Sequence, residues 1–346
     1  MELLADNEAR PYVAASGPEV ASLATESLAA MTHPPKPKIR AAHRISPEAM
    51  ASLKSRVDSL EELAFLVSPL HTYEIAKSEF RLIMNTLTHQ GHGGDDGVQL
   101  LRLAARITGL CGGLNIALGF SGKAERWFIA AAHASTAIHD PLLASAHLVG
   151  IAHSHLLAGN VGDVFPLVEA ARAMVKRPSP RFAVLLDCVV AQAHAALRDT
   201  TASAKALDRA SRALAVSGDL EELTAYRYIG KIDECWLAVG TGKTWLRMGQ
   251  PEYALEHLAP KLGNDAAPYF RTRSFPFGAQ ELLCLADAQL ALNDIDAAAH
   301  SARRAADVMG GLPSSLVRQF RKRFTAHTSV PAVQDLWCVL AKASRT

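Results

Sequence analysis

The sequence predicts an all-α fold built from antiparallel helix pairs, and three observations predict it. Apolar residues recur at intervals of three and four, as in Leu53, Val57, Leu60, Ala64 and Val67, and no segment sustains the two-residue alternation of a half-buried strand. A register of small residues recurs five times between Gly97 and Met309. The apolar share, 49%, is mostly Ala, Leu and Val, with aromatics only 6%. Such small side chains favour helices that approach closely, because Ala is the best helix former and adds little bulk between axes.

Residues 1–44 stand apart. Residues 19–31 can form a short helix, but His33-Pro34-Pro35-Lys36-Pro37-Lys38 is extended, since each proline disfavours helix at the residue before it. With Arg40 and Arg44 this segment reads as a disordered, basic, Pro-rich tail, and a nucleic-acid arm is the minority reading. The first residues are acidic, with no basic stretch before an apolar run, so a signal peptide is not expected. No run of eighteen uncharged apolar residues suggests a membrane span.

The helical region is expected to span residues 45–346. Ser46-Pro47-Glu48 starts its first helix, with a serine at the N-cap and proline at the first helical position. Ser68-Pro69 breaks the chain, and a second helix runs to about Thr88. Gln90 to Gly97 reads as a flexible glycine-rich loop.

Five helix pairs are then expected over residues 97–309. Their first helices align on Gly112, Ala152, Ala191, Gly242 and Ala286. Twelve residues later come Ala124, Val164, Ser203, Ala254 and Ala298, and four further on Phe128, Val168, Leu207, Leu258 and Ala302. A small residue in the first helix lets the second cross at close range, and the residue one turn along fills the gap to the next unit. The spacing between units is 40, 39, 51 and 44 residues, and the longest gap places an insertion around residues 217–232.

Residues 310–346 are expected to cap the array. Leu316, Phe320 and Phe324 form one stripe, with Arg318, Arg321, Lys322 and Arg323 read as facing away from it. A terminal repeat needs such a polar outer face.

Gly240-Thr241-Gly242-Lys243-Thr244 has the outline of a phosphate loop, but the required earlier glycine is replaced by Leu237 and no strand precedes it. Helix packing explains it better. His147, His153 and His155 share one helix, yet His153 and His155 point to different sides and no HExxH motif or carboxylate pair accompanies them, so no metal or other cofactor is expected. The five cysteines are scattered, without a CxxC pair, and read as buried free thiols in a reducing cytoplasm. A net charge of +2 does not argue for nucleic acid or an acidic membrane.

The register Gly112, Ala124, Phe128, Ala131, and likewise Gly242, Trp245, Gly249, Ala254, Leu258, resembles the tetratricopeptide (TPR) repeat. That resemblance implies a solenoid, a right-handed superhelix of helix pairs whose first helices line a concave groove. Residues 46–342 also look like the C-terminal helical sensor region of actinobacterial transcriptional regulators of the XRE type. No helix-turn-helix stands before Ser46, so direct DNA binding is not expected. Carried over, the groove position falls on Arg106, His153, Gln192, Lys243 and Asp287, with Trp236 and Arg247 nearby. These suit a peptide carboxylate or a small polar ligand.

The function this implies is a non-enzymatic regulatory or adaptor protein, binding a peptide, a small ligand or a protein partner, in transcriptional regulation. A homodimer is compatible with it. The alternative is an enzyme or accessory factor of actinobacterial secondary metabolism, using a pocket lined by His153, His155 or Lys243.

Overall fold

The structure, a computed structural model, describes residues 15–32, 45–89, 94–217, 231–264, 278–309, 312 and 314–343. Within them the chain is all-helical. The helices are α1 (Pro18–Thr32), α2 (Pro47–Leu63), α3 (Pro69–His89), α4 (Gly94–Ala117), α5 (Ser121–Ala137), α6 (Pro141–Ala158), α7 (Val164–Met174), α8 (Pro180–Ala196) and α9 (Thr200–Ala215). There follow α10 (Glu234–Arg247), α11 (Pro251–Leu262), α12 (Gly278–Ala291), α13 (Ile295–Met309), α14 (Ser314–Arg323) and α15 (Pro331–Ala343). Residues 1–14 and 33–44 of the expected tail and most of the expected insertion, residues 218–230, lie outside the described residues.

Local chemistry sets where helices begin. Ser46 Oγ accepts from the Ala49 amide at 3.2 Å, with Pro47 following it, as the sequence predicts. Asp140, Ser179, Asp199 and Asp233 cap α6, α8, α9 and α10 in the same way. The start of α4 corrects the expected loop: Gly94 to Gly97 are helical. Asp95 and Asp96 in that first turn face the positive end of the helix dipole.

The five-fold register has a backbone expression. Seven residues after each anchor the chain turns left-handed: Gly119 (φ 76°), Gly159 (φ 87°), Arg198 (φ 63°), Gly249 (φ 75°) and Asn293 (φ 61°). The next residue's amide then donates back to the carbonyl five residues earlier. These bonds are Phe120 to Asn115 (2.8 Å), Asn160 to His155 (2.9 Å), Asp199 to His194 (3.0 Å), Gln250 to Trp245 (3.0 Å) and Asp294 to Gln289 (2.9 Å). This is the Schellman closure, which satisfies orphaned carbonyls and turns the chain straight into the second helix. Each of the pairs α4/α5, α6/α7, α8/α9, α10/α11 and α12/α13 therefore reverses by the same device.

Packing follows the register. A β-carbon on Gly112 would lie 2.8 Å from Phe128, and Ser203 Oγ donates to the Ala191 carbonyl at 2.9 Å. The apolar core falls into three clusters: α2–α4 around Leu60, Ile83 and Leu100; α5–α9 with α1 around Phe128, Leu148 and Phe182; and α10–α15 around Leu258, Leu285 and Phe320. α5 links the first two, since Trp127 faces α3 and Phe128 faces α6.

One contact ties distant parts of the chain. Gln280 Nε2 on α12 donates to the Ala117 carbonyl at the end of α4, 3.1 Å away. Gly119, in the turn after α4, sits so close to Gln280 and Leu316 that a β-carbon there would lie 3.2 Å from each. Its positive φ and this crowding both favour glycine, although Arg198 and Asn293 hold the equivalent place in two other turns.

Among the described residues α6 is the one helix long and apolar enough to cross a membrane, and 67% of it is buried inside the fold. It is a core helix here.

Candidate functional site

The first helices of all five pairs meet around one cavity of about 440 Å³, with α14 closing one side. α4 contributes Ile116, α6 His153 and Leu157, α8 Leu185, Val189 and Gln192, α10 Trp236, Val239, Lys243 and Arg247, α12 Glu281, Cys284 and Asp287, and α14 Gln319 and Arg323. The spacing explains the convergence. Gln192, Val189 and Leu185 are one and two turns apart on α8, and Trp236, Gly240, Lys243 and Arg247 form a stripe along α10.

Six of the seven residues named from the sequence, His153, Gln192, Trp236, Lys243, Arg247 and Asp287, line this cavity. Four of them directly follow a repeat anchor, so the face that packs the pair also fixes the face turned to the cavity. Arg106 is the exception. It precedes its anchor by six residues and lies buried, with Nη2 2.7 Å from Glu61 and 2.6 Å from Asp58. It braces α4 against α2 and does not reach the cavity. His155 is also elsewhere, buried with Nε2 3.2 Å from Glu125 and Nδ1 3.4 Å from Asp163. A site combining it with His153 is ruled out by geometry, as they project from opposite sides of α6.

The sequence reading missed Glu281, Gln319 and Arg323. Arg323 was expected on the outer face of the terminal helix; instead its Nε sits 2.8 Å from Asp287 and it lines the cavity. Gln319 and Arg323 are four residues apart, a second stripe beside Leu316 and Phe320, and that spacing was the available signal. The cysteine reading is corrected in part: Cys111, Cys188 and Cys235 are buried free thiols, Cys284 is partly buried in the cavity wall, and Cys338 is exposed.

The charges of the site are unequal. Lys243 Nζ lies 3.1 Å from Glu281 Oε1, and Arg323 pairs with Asp287. The Arg247 side chain makes no hydrogen bond or ion pair with any described residue, although its backbone lies within helix α10. Three cations thus face two carboxylates. Burial pushes the Arg247 guanidinium below its usual range, with only the weak opposing effect of Cys284. Burial also acts to lower Lys243, but Glu281 outweighs it and holds the ammonium above its ordinary value. Asp287 is raised by burial, against the pull of Arg323.

His153 is driven down to about 3, first by burial and then by Lys243 and Arg247, so it is neutral at physiological pH. Burial raises the Cys284 thiol to about 11, so it is not a thiolate there. His153 Nε2, Gln192 Oε1 and Glu281 Oε2 are buried with no hydrogen-bond partner among the described residues. Buried polar atoms in native proteins are nearly always satisfied, so a cluster of three beside an unpaired guanidinium is what a bound polar molecule would complete.

No protein-family model matches the chain, and no curated protein matches it.

Proposed function

We propose that this chain is a non-enzymatic regulatory or adaptor protein of the cytoplasm. In this reading the five pairs form a right-handed TPR-like superhelix, and the inner face binds a small ligand or the end of a peptide. One observation carries the reading: a cavity assembled from all five first helices holds a guanidinium and three buried polar atoms that have no partner among the described residues. Because each helix pair contributes to the wall, a ligand that prefers one arrangement of the pairs shifts the whole array toward it. The outer surface then presents a different shape to a partner. The resemblance to regulator sensor regions supports a role in transcriptional control through such a partner.

The test is thermal denaturation of the purified chain with and without the low-molecular-weight fraction of a native cell extract. A ligand present at about a hundred times its Kd stabilises by about 2.7 kcal/mol, which raises Tm by several degrees. No shift with any fraction, or chemical conversion of the bound molecule by the protein, would overturn the proposal.

A further inference from the structure

The chemistry of the cavity wall narrows the ligand, on the reading that the cavity binds one. We infer that it takes an amphipathic monoanion, a carboxylic acid that also carries a hydrogen-bond donor. Its carboxylate sits on Arg247, its donor faces Glu281, and its hydrocarbon part lies along Ile116, Leu157, Leu185 and Val189.

The argument begins with charge. Lys243 and Arg323 already have carboxylate partners in Glu281 and Asp287, so among the described residues the wall carries one uncompensated positive charge, at Arg247. A largely buried cation without a partner is costly, and one negative charge brought by a ligand removes that cost. A guanidinium presents a planar fork that matches a carboxylate with two parallel hydrogen bonds. A phosphate dianion would bring a second charge into a wall that already holds two carboxylates, and like charges at this range repel.

The unsatisfied atoms supply the rest. Glu281 Oε2 is a carboxylate oxygen and can only accept, so the ligand must offer it an N–H or O–H. Gln192, 5% exposed, also turns an unsatisfied polar atom to the cavity, and neutral His153 can donate or accept. Ile116, Leu157, Leu185 and Val189, from α4, α6 and α8, give the same wall an aliphatic part. A volume of about 440 Å³ suits a small molecule and is too small for a folded partner.

Isothermal titration calorimetry with three matched probes tests this: 2-hydroxyoctanoate, its neutral amide, and octyl phosphate. The expected result is that the acid binds at least ~10-fold tighter than the amide, the yield of one charge-assisted pair. Octyl phosphate should bind no tighter than the acid. Arg247→Ala should bring acid and amide to equal affinity, and Arg247→Lys should keep part of the preference. Circular dichroism checks that both variants are folded, which is expected since the Arg247 side chain holds no hydrogen bond within the described residues. If the amide binds as well as the acid, or if the preference survives Arg247→Ala, the monoanion inference falls and the cavity reading stands. If octyl phosphate binds most tightly, the inference also falls. If none of the three binds wild type, the inference falls; the cavity reading falls with it only if the extract fractions likewise give no thermal shift.

Discussion

Gly242 and Leu258 lie in such close contact that a β-carbon on the glycine would fall 2.6 Å from Leu258 Cγ and 3.1 Å from the Ala254 carbonyl oxygen. Both neighbours belong to the core of α11, and neither is the free end of a flexible chain. Replacing helical glycine with alanine ordinarily stabilises by about 1 kcal/mol. Overpacking costs about 1–3 kcal/mol and wins here. Gly242→Ala is expected to lower stability by about 1 kcal/mol or more in chemical denaturation, the reverse of the helix-propensity effect. A stabilised variant would show that this anchor does not set the α10–α11 distance.

Arg106 and the cavity are separable. Removing one partner of a buried ion pair leaves the others uncompensated and costs about 3–5 kcal/mol. Arg106→Met takes the buried guanidinium away from Glu61, which is 8% exposed, and from Asp58, and should destabilise the α2–α4 packing by up to about that order. It should leave small-molecule uptake by the remaining folded protein unchanged. Urea denaturation and calorimetry read the two effects independently.

His153 makes stability depend on pH in a defined direction. Its folded value of about 3 lies below the usual imidazole value of 6.5, so folding favours the neutral ring. The unfolded chain binds the proton first, and stability is full above pH 6.5 and declines as pH falls from there toward 3. A single such group costs about 1.4 kcal/mol for each unit in that window. His147, also held near 3 by burial, adds a parallel loss. His153→Asn should therefore flatten, without abolishing, the decline between pH 6.5 and 5. Denaturation midpoints at a series of pH values test this, and an unchanged slope would contradict it.

Much of this was legible in the sequence because the repeat is a local signal. The anchors Gly112, Ala152, Ala191, Gly242 and Ala286 recur in register, and the residues that follow four of them reach one cavity through helical geometry alone. Arg106 misled because it lies six residues ahead of its anchor, where α4 faces α2 and its carboxylates. Arg323, Glu281 and Gln319 depended on where α12 and α14 come to rest. That placement involves the bond from Gln280 to the Ala117 carbonyl, across a sequence separation that no local pattern encodes.

Arg247 offers a test that needs no ligand. Burying an unpaired guanidinium opposes folding, so an apolar residue of similar length should relieve the cost. Arg247→Met is expected to unfold at the same or a higher Tm than wild type in ligand-free protein, while the preference for an anionic over a neutral ligand is lost. A marked fall in Tm would mean that the guanidinium has a structural role.

The central claim is that the five first helices build one ligand cavity, and native mass spectrometry after incubation with a cell extract tests it most directly. Leu157 lines the cavity and is 41% exposed, so Leu157→Trp can fill the space without disturbing the core. The account predicts a small-molecule adduct on wild type that is absent from folded Leu157→Trp. An adduct retained at full strength by that variant, or no adduct on wild type with any extract fraction, would contradict it.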